Sequence, residues 1–94
     1  MLKPHLAALL AVVLTSTAAT ATERTVTLAV ENMTCALCPI TVSRAIEAVP
    51  GVTSVEVDMD TSTALVTFDD AVASPQHVAD ASTNAGYPAT LVKP

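Results

Sequence analysis

The apolar residues of this chain follow two different periods, and the order of those periods restricts the fold. Four short segments are apolar at alternate positions, as in strands with one buried face. Two longer segments are apolar at every third or fourth position, as in amphipathic helices. Strands are predicted at residues 25–31, 53–59, 64–68 and 90–92, with one helix beginning near residue 38 and another near residue 74. The predicted order is strand, helix, strand, strand, helix, strand.

Proline and glycine mark the expected ends of both helices. Pro39 and Pro75 fit first turns, where a missing N–H costs no hydrogen bond, and Ser74 fits an N-cap. Pro50 with Gly51 should end the first helix, and Gly86 the second. The apolar positions expected to be buried include Val55, Val57 and Met59 in the second strand and Val78, Ala81 and Ala85 in the second helix.

This order predicts an α+β fold of the ferredoxin-like βαββαβ type. Each predicted strand and helix has a single apolar face. Two helices packed on one side of a four-stranded antiparallel sheet would bury all of these faces in one core.

The first 21 residues have the three-part composition of a secretory signal. Lys3 precedes the apolar run at 6–14, and Ala19-Thr20-Ala21 fits a cleavage site. The apolar run is shorter than the roughly 20 residues that span a bilayer. We therefore expect residues 1–21 to be a cleaved signal peptide, residues 22–94 to be one domain, and the protein to be periplasmic without stable membrane insertion.

The charge of the chain argues against several classes of partner. Four basic residues stand against nine acidic ones, for a net charge of −5. A chain with this balance and 2% aromatic residues has no basic patch for nucleic acid or an anionic lipid surface. We expect a monomer that binds no nucleic acid.

Cys35 and Cys38 are the only cysteines, and they lie where the first helix should begin. A helix start offers unpaired N–H groups and the positive end of the helix dipole, which favour thiolates. Two thiolates do not complete a zinc site, which takes four ligands. They suit soft ions that accept two ligands, namely Cu(I) and Hg(II). Carriage of such an ion is the favoured interpretation, with Cys35 and Cys38 as ligands.

Two other interpretations of the cysteine pair remain open. A structural disulfide would close a very short loop and add little stability. A thiol-disulfide oxidoreductase has this spacing, but usually within a thioredoxin-like fold that needs a longer chain. Among further candidate ligands, Met33 is expected in the core, and His77 is expected to be a plain surface or half-buried histidine rather than a ligand.

The motif Met33-Thr34-Cys35-x-x-Cys38, between a first strand and a first helix, resembles the heavy-metal-associated domain family. Pro39 and the Tyr87-Pro88 pair make the chain most similar to the periplasmic mercuric-ion-binding members. The resemblance implies that Cys35 and Cys38 bind one Hg(II) and pass it to an inner-membrane mercuric transporter.

The same resemblance implies that the protein is not an enzyme. Copper chaperones of the family bind Cu(I) at the same two positions, so Cu(I) is the alternative cargo. Tyr87 would lie beside the site, as a neighbour of the metal or as an ordinary half-buried tyrosine. Asn32 departs from the glycine that is frequent in the family, although asparagine tolerates the left-handed backbone conformation.

Overall fold

The computed structural model describes residues 22–92, and the expected signal peptide at 1–21 lies outside them. The strands are β1 (Glu23–Val30), β2 (Val52–Asp58), β3 (Thr63–Asp69) and β4 (Ala89–Leu91), and the helices are α1 (Cys38–Glu47) and α2 (Pro75–Asn84). Within the described residues no helix is long and apolar enough to cross a membrane.

The four strands form one antiparallel sheet in the order β2-β3-β1-β4. The central strands β1 and β3 pair along most of their length, from Glu23 opposite Asp69 to Ala29 opposite Thr63. Helix α1 packs against β2, and α2 packs against β4. The predicted ferredoxin-like fold is confirmed.

The core lies between the helices and one face of the sheet. On β3, Ala64, Val66 and Phe68 are fully buried, whereas Leu65, between them, is 41% exposed. Burying alternate residues is what a strand with one covered face requires. The buried apolar residues are Leu28, Val30, Met33, Cys38, Val42, Ile46, Ala64, Val66, Phe68, Ala73, Val78 and Ala79.

Two of the expected core positions are wrong. Met59 is exposed because β2 ends at Asp58, whose side chain accepts a hydrogen bond from the N–H of Asp60 at 2.9 Å and so begins a turn. Ala85 is also exposed, because it caps α2 beyond the last helical residue. The buried face of α2 consists of Val78, Ala79 and Ser82.

Candidate metal centre

The two cysteines lie at the end of the molecule where β1 passes into α1. The connecting segment, residues 31–37, is called the cysteine loop below. Cys35 is exposed in this loop, whereas Cys38 is the first residue of α1 and is only 4% exposed. One sulfur-bearing residue therefore faces solvent, and the other belongs to the core.

The shape of the cysteine loop is determined by its first residues. Asn32 has a φ of 70°, in the left-handed region that asparagine tolerates better than most residues. Its carbonyl oxygen accepts a hydrogen bond from the N–H of Thr34 at 2.9 Å. Met33, between them, is 8% exposed and belongs to the core, as predicted. The tight bend at Asn32 and the buried Met33 side chain together fix where the loop leaves β1.

The backbone N–H groups of both cysteines make hydrogen bonds at the start of α1. No side chain caps this helix, and Pro39 lies in its first turn. The N–H of Cys35 donates to the Sγ of Cys38 at 3.2 Å, and the N–H of Cys38 donates to the carbonyl oxygen of Cys35 at 3.1 Å. The Sγ of Cys38 therefore accepts a backbone hydrogen bond and belongs to the residue that begins α1, at the positive end of the helix dipole.

In this structure Cys35 and Cys38 are joined by a disulfide, with their Cα atoms 5.2 Å apart. The structure is therefore that of the oxidised protein, in which neither sulfur is a free thiol. Oxidation brings the two sulfurs together, but thiolate ligation of a metal requires that the bond first be reduced. The assignment of Cys35 and Cys38 as metal ligands stays a prediction.

The described residues contribute no further cluster of ligands. Between residues 22 and 92, no three histidine, cysteine, aspartate or glutamate side chains come together as a metal site. His77 is exposed in the first turn of α2, where its N–H donates to the Oγ of Ser74 at 3.1 Å. Of the two positions expected for His77, surface or half-buried, the structure shows the surface one, and the expected N-cap at Ser74 is confirmed.

A second segment is hydrogen-bonded to the start of the cysteine loop. The N–H of Glu31 donates to the carbonyl oxygen of Pro88 at 2.8 Å, so the Tyr87-Pro88 segment runs beside the loop. Tyr87 is half-buried and packs against the core. This position agrees with an ordinary half-buried tyrosine, and a direct role for Tyr87 at the metal stays a prediction.

The heavy-metal-associated domain model matches residues 27–88, which include the cysteine loop, both helices and most of the sheet. The chain belongs to the heavy-metal-associated domain family. The predicted resemblance is thereby confirmed.

Relatives of this heavy-metal-associated domain include proteins of mercury transport. The mercuric transport protein periplasmic component of Shewanella putrefaciens is 49% identical over 79 residues, which cover 84% of this chain and 87% of the relative. Oxidised MerP from Ralstonia metallidurans is 49% identical, with a TM-score of 0.74. The mercury-bound form of MerP, the periplasmic protein of the bacterial mercury detoxification system, is 49% identical, with a TM-score of 0.68. Both structural matches cover 77% of this chain and 100% of the other.

A copper-binding member of the fold is a more distant match. A copper-binding domain from the P-type ATPase HMA7 is 28% identical, with a TM-score of 0.73, over 74% of this chain and 95% of that domain. The fold therefore occurs in proteins named for either ion, and the higher identity lies with the mercuric proteins.

One polar residue of this heavy-metal-associated domain was missed by sequence reasoning. Ser82 in α2 is fully buried, and its Oγ donates to the carbonyl oxygen of Tyr87 at 2.8 Å. The N–H of Tyr87 donates back to the carbonyl oxygen of Ser82 at 3.0 Å. The position of Ser82 four residues after buried Val78 was the available signal, because that spacing returns to the same helix face.

Proposed function

We propose that the reduced protein binds one Hg(II) through the thiolates of Cys35 and Cys38 and carries it through the periplasm to an inner-membrane mercuric transporter. The observation that carries this proposal is the 49% identity with mercury-bound MerP over that protein's whole length. Cys35 in the cysteine loop and Cys38 at the start of α1 supply two soft donors, and no cluster of three or more possible ligands competes with them within residues 22–92.

Delivery would proceed by exchange of thiolate ligands. An acceptor thiolate forms a new Hg–S bond while the ion is still held by both cysteines. One cysteine then leaves as a thiolate and takes up a proton from water, and a second acceptor thiolate displaces the other. The metal keeps its charge throughout, so no oxidant or reductant takes part. A two-ligand site suits this sequence because it leaves room for the incoming sulfur.

The exposed position of Cys35 supports an approach from the solvent side of the cysteine loop. Its neighbour Leu37 is 67% exposed, and Ile40 in the first turn of α1 is 50% exposed. Between residues 32 and 43 the chain has no charged side chain, so Glu31 and Arg44 are the charged residues nearest in sequence to the two cysteines.

The disulfide of the oxidised form must be reduced before the ion can bind. A dithiol reductant would attack one sulfur, form a mixed disulfide and release the other cysteine, after which its second thiol completes the exchange. The reductant is oxidised to its own disulfide, and the protein gains two thiols. Redox state would thus determine whether the carrier can load.

The periplasmic location rests on two independent supports. Residues 1–21 have the composition of a secretory signal, and the Shewanella putrefaciens relative is named a periplasmic component. In this role the protein is a carrier and not an enzyme, because the ion is passed on without any bond being made or broken within a substrate.

Cu(I) is the second candidate cargo, favoured by the similarity to the copper-binding domain of a P-type ATPase. A thiol-disulfide redox protein is the third candidate, since the cysteine pair forms a disulfide. The membership of the heavy-metal-associated domain family favours metal carriage over the redox role.

Native mass spectrometry of the reduced protein would distinguish these candidates. The protein is titrated anaerobically with Hg(II) and, separately, with Cu(I), each against the same excess of a small thiol. We expect one Hg(II) to be retained and Cu(I) to be lost to the competitor. Retention of Cu(I) with loss of Hg(II) would favour the copper chaperone, and loss of both ions would contradict metal carriage. The oxidised protein is the matched control and should retain neither ion.

A further inference from the structure

Ser82 lies in the core, whereas most of the polar side chains of the described residues lie at or near the surface. Burying a hydroxyl is unfavourable unless it makes a hydrogen bond, so a buried serine requires a partner. That partner is the carbonyl oxygen of Tyr87, at 2.8 Å from the Ser82 Oγ. Because the N–H of Tyr87 also donates to the carbonyl oxygen of Ser82 at 3.0 Å, two hydrogen bonds join the same pair of residues.

These bonds fix the orientation of a peptide group next to a proline. The carbonyl of Tyr87 belongs to the planar peptide that links Tyr87 to Pro88. The pyrrolidine ring then holds the φ of Pro88 near −65°. Once Ser82 fixes the Tyr87 carbonyl, ψ is the one soft backbone dihedral left to orient the carbonyl of Pro88.

The carbonyl of Pro88 reaches the cysteine loop. Its oxygen accepts the hydrogen bond from the N–H of Glu31 at 2.8 Å. Glu31 is followed by Asn32, the residue with the left-handed φ of 70° that redirects the chain toward Cys35. The series Ser82, Tyr87, Pro88 and Glu31, here called the Ser82 strut, thus joins the buried face of α2 to the start of the loop.

We propose that Ser82 is a positioning residue for the metal site, acting through the Ser82 strut. The inference rests on the proposed function, because it assigns Ser82 a part in holding the loop in the shape that brings both cysteines to one ion. A loop held in place before binding loses less freedom on binding, so the site retains its ion more strongly. Ser82 touches neither cysteine and acts only through backbone.

The test compares three variants in the reduced protein. Ser82→Ala removes the hydroxyl and leaves a residue with high helix propensity. Pro88→Ala removes the ring that restricts φ at position 88 and keeps the backbone carbonyl. Ser43→Ala is the matched control. It removes a serine hydroxyl from the other helix, one that donates to the carboxylate of Glu47 at 3.3 Å on the exposed side of α1 and takes no part in the strut.

Two readouts are measured, amide hydrogen exchange and Hg(II) retention against a competing dithiol. We expect Ser82→Ala and Pro88→Ala to speed exchange at the Glu31 amide about three- to tenfold, as loss of one neutral hydrogen bond implies. Exchange at Val66, in the central strand β3, should be unchanged, because the effect is local. Hg(II) retention should fall by a similar factor in both variants and stay within about twofold of the unaltered protein in Ser43→Ala.

The outcomes separate the strut from the proposed function. Unchanged Glu31 exchange in both Ser82→Ala and Pro88→Ala would overturn the strut, as would an equal rise at Val66, which indicates general destabilisation. Faster Glu31 exchange with unchanged Hg(II) retention would overturn the positioning role. An unaltered protein that retains no Hg(II) would contradict the proposed function, and the Ser82 inference, which rests on it, would fall with it.

Discussion

At the scale of single residues, the two cysteines differ in exposure although only Ala36 and Leu37 separate them. Cys35 is exposed, whereas Cys38 is 4% exposed and receives a hydrogen bond from the Cys35 N–H. Accessibility limits how fast a thiol meets a reagent in solution. The exposed cysteine should therefore be the one that reagents and incoming thiols reach first.

Alkylation of the reduced protein tests this difference. We expect iodoacetamide to modify Cys35 at least about tenfold faster than Cys38, because the reagent must reach the sulfur. Peptide mass spectrometry at short reaction times measures both rates. In the control variant Cys38→Ser, Cys35 should react at its unaltered rate. Equal rates, or faster modification of Cys38, would contradict the assignment.

The left-handed backbone at Asn32 makes a second prediction. Asn32→Ala should lower the free energy of unfolding by about 1 kcal/mol, since alanine lacks the local hydrogen bonding that lets asparagine adopt this conformation. Asn32→Gly should be within about 0.5 kcal/mol of the unaltered protein, because glycine adopts positive φ readily. Urea unfolding of the oxidised protein measures both. A larger loss of unfolding free energy in Asn32→Gly than in Asn32→Ala would show that the positive φ does not determine the preference for asparagine at this position.

Residue roles were predictable from sequence where a local pattern determines them. The spacing of the cysteines and the first-turn position of Pro39 placed Cys38 at a helix start, and a lone methionine before the loop was assigned to the core. For Ser82, the spacing from Val78 indicates the buried helix face but does not supply the partner of the hydroxyl. Its partner is a carbonyl on a segment beyond the helix, and a serine in a helical pattern is ordinarily a surface residue.

At the scale of elements, two glycines lie in the turns that follow the helices, with similar backbone and different surroundings. Gly51 follows α1 with a φ of 98°, and a Cβ added there would lie 2.9 Å from the Cβ of Val72. Gly86 follows α2 with a φ of 103°, and an added Cβ would meet no atom within 4 Å. A side chain at position 51 is therefore disfavoured both by the positive φ and by the contact with Val72. At position 86 it is disfavoured by the positive φ alone.

This pair gives a matched prediction for the loops that close the helices. Gly86→Ala should cost about 1 kcal/mol of unfolding free energy, from the unfavourable φ alone. Gly51→Ala should cost about 1–3 kcal/mol more, because Val72 must also move. Thermal unfolding monitored by circular dichroism measures both. Equal losses of unfolding free energy in the two variants would contradict this prediction, because they would mean that Val72 moves away at no cost.

Element type and order followed from the sequence because the two periods differ clearly and proline and glycine mark the helix ends. The positions at element ends did not follow as well. Met59 and Ala85 continued the apolar periods of β2 and α2, but each lies one residue past the end of its element. A period shows which face a residue would take and does not show where the hydrogen bonding stops.

At the scale of the whole molecule, a single sheet with one covered face carries the entire core. Phe68 is the largest of the fully buried side chains, whereas Leu65 on the same strand is 41% exposed. Small domains have marginal stability, often between about 5 and 15 kcal/mol. Loss of one large core side chain should therefore remove a substantial part of it.

Substitutions on the two faces of β3 test how the core is arranged. Phe68→Ala should cost about 3–5 kcal/mol, because it leaves a cavity in the buried core. Leu65→Ala should cost less than about 1 kcal/mol, since its face of the sheet is open. Urea unfolding measures both. Similar losses for the two variants would contradict a core confined to one face.

The fold of the whole molecule was predictable because one arrangement buries every apolar face, and family membership agreed with it. The identity of the bound ion was harder to predict, because two thiolates bind either Hg(II) or Cu(I). Selectivity between these ions depends on the geometry of the site and on the partner protein. The redox state was also beyond the sequence, since the same cysteine pair serves as a ligand when reduced and as a disulfide when oxidised.

The central claim is that Hg(II) is held by the sulfur atoms of Cys35 and Cys38 and by no other protein ligand. X-ray absorption at the mercury edge, on reduced protein loaded with one equivalent of Hg(II), measures the first coordination shell directly. We predict two sulfur neighbours, with one lost in Cys35→Ser and one lost in Cys38→Ser. A shell containing nitrogen or oxygen in the unaltered protein, or a spectrum that either serine variant leaves unchanged, would contradict the claim.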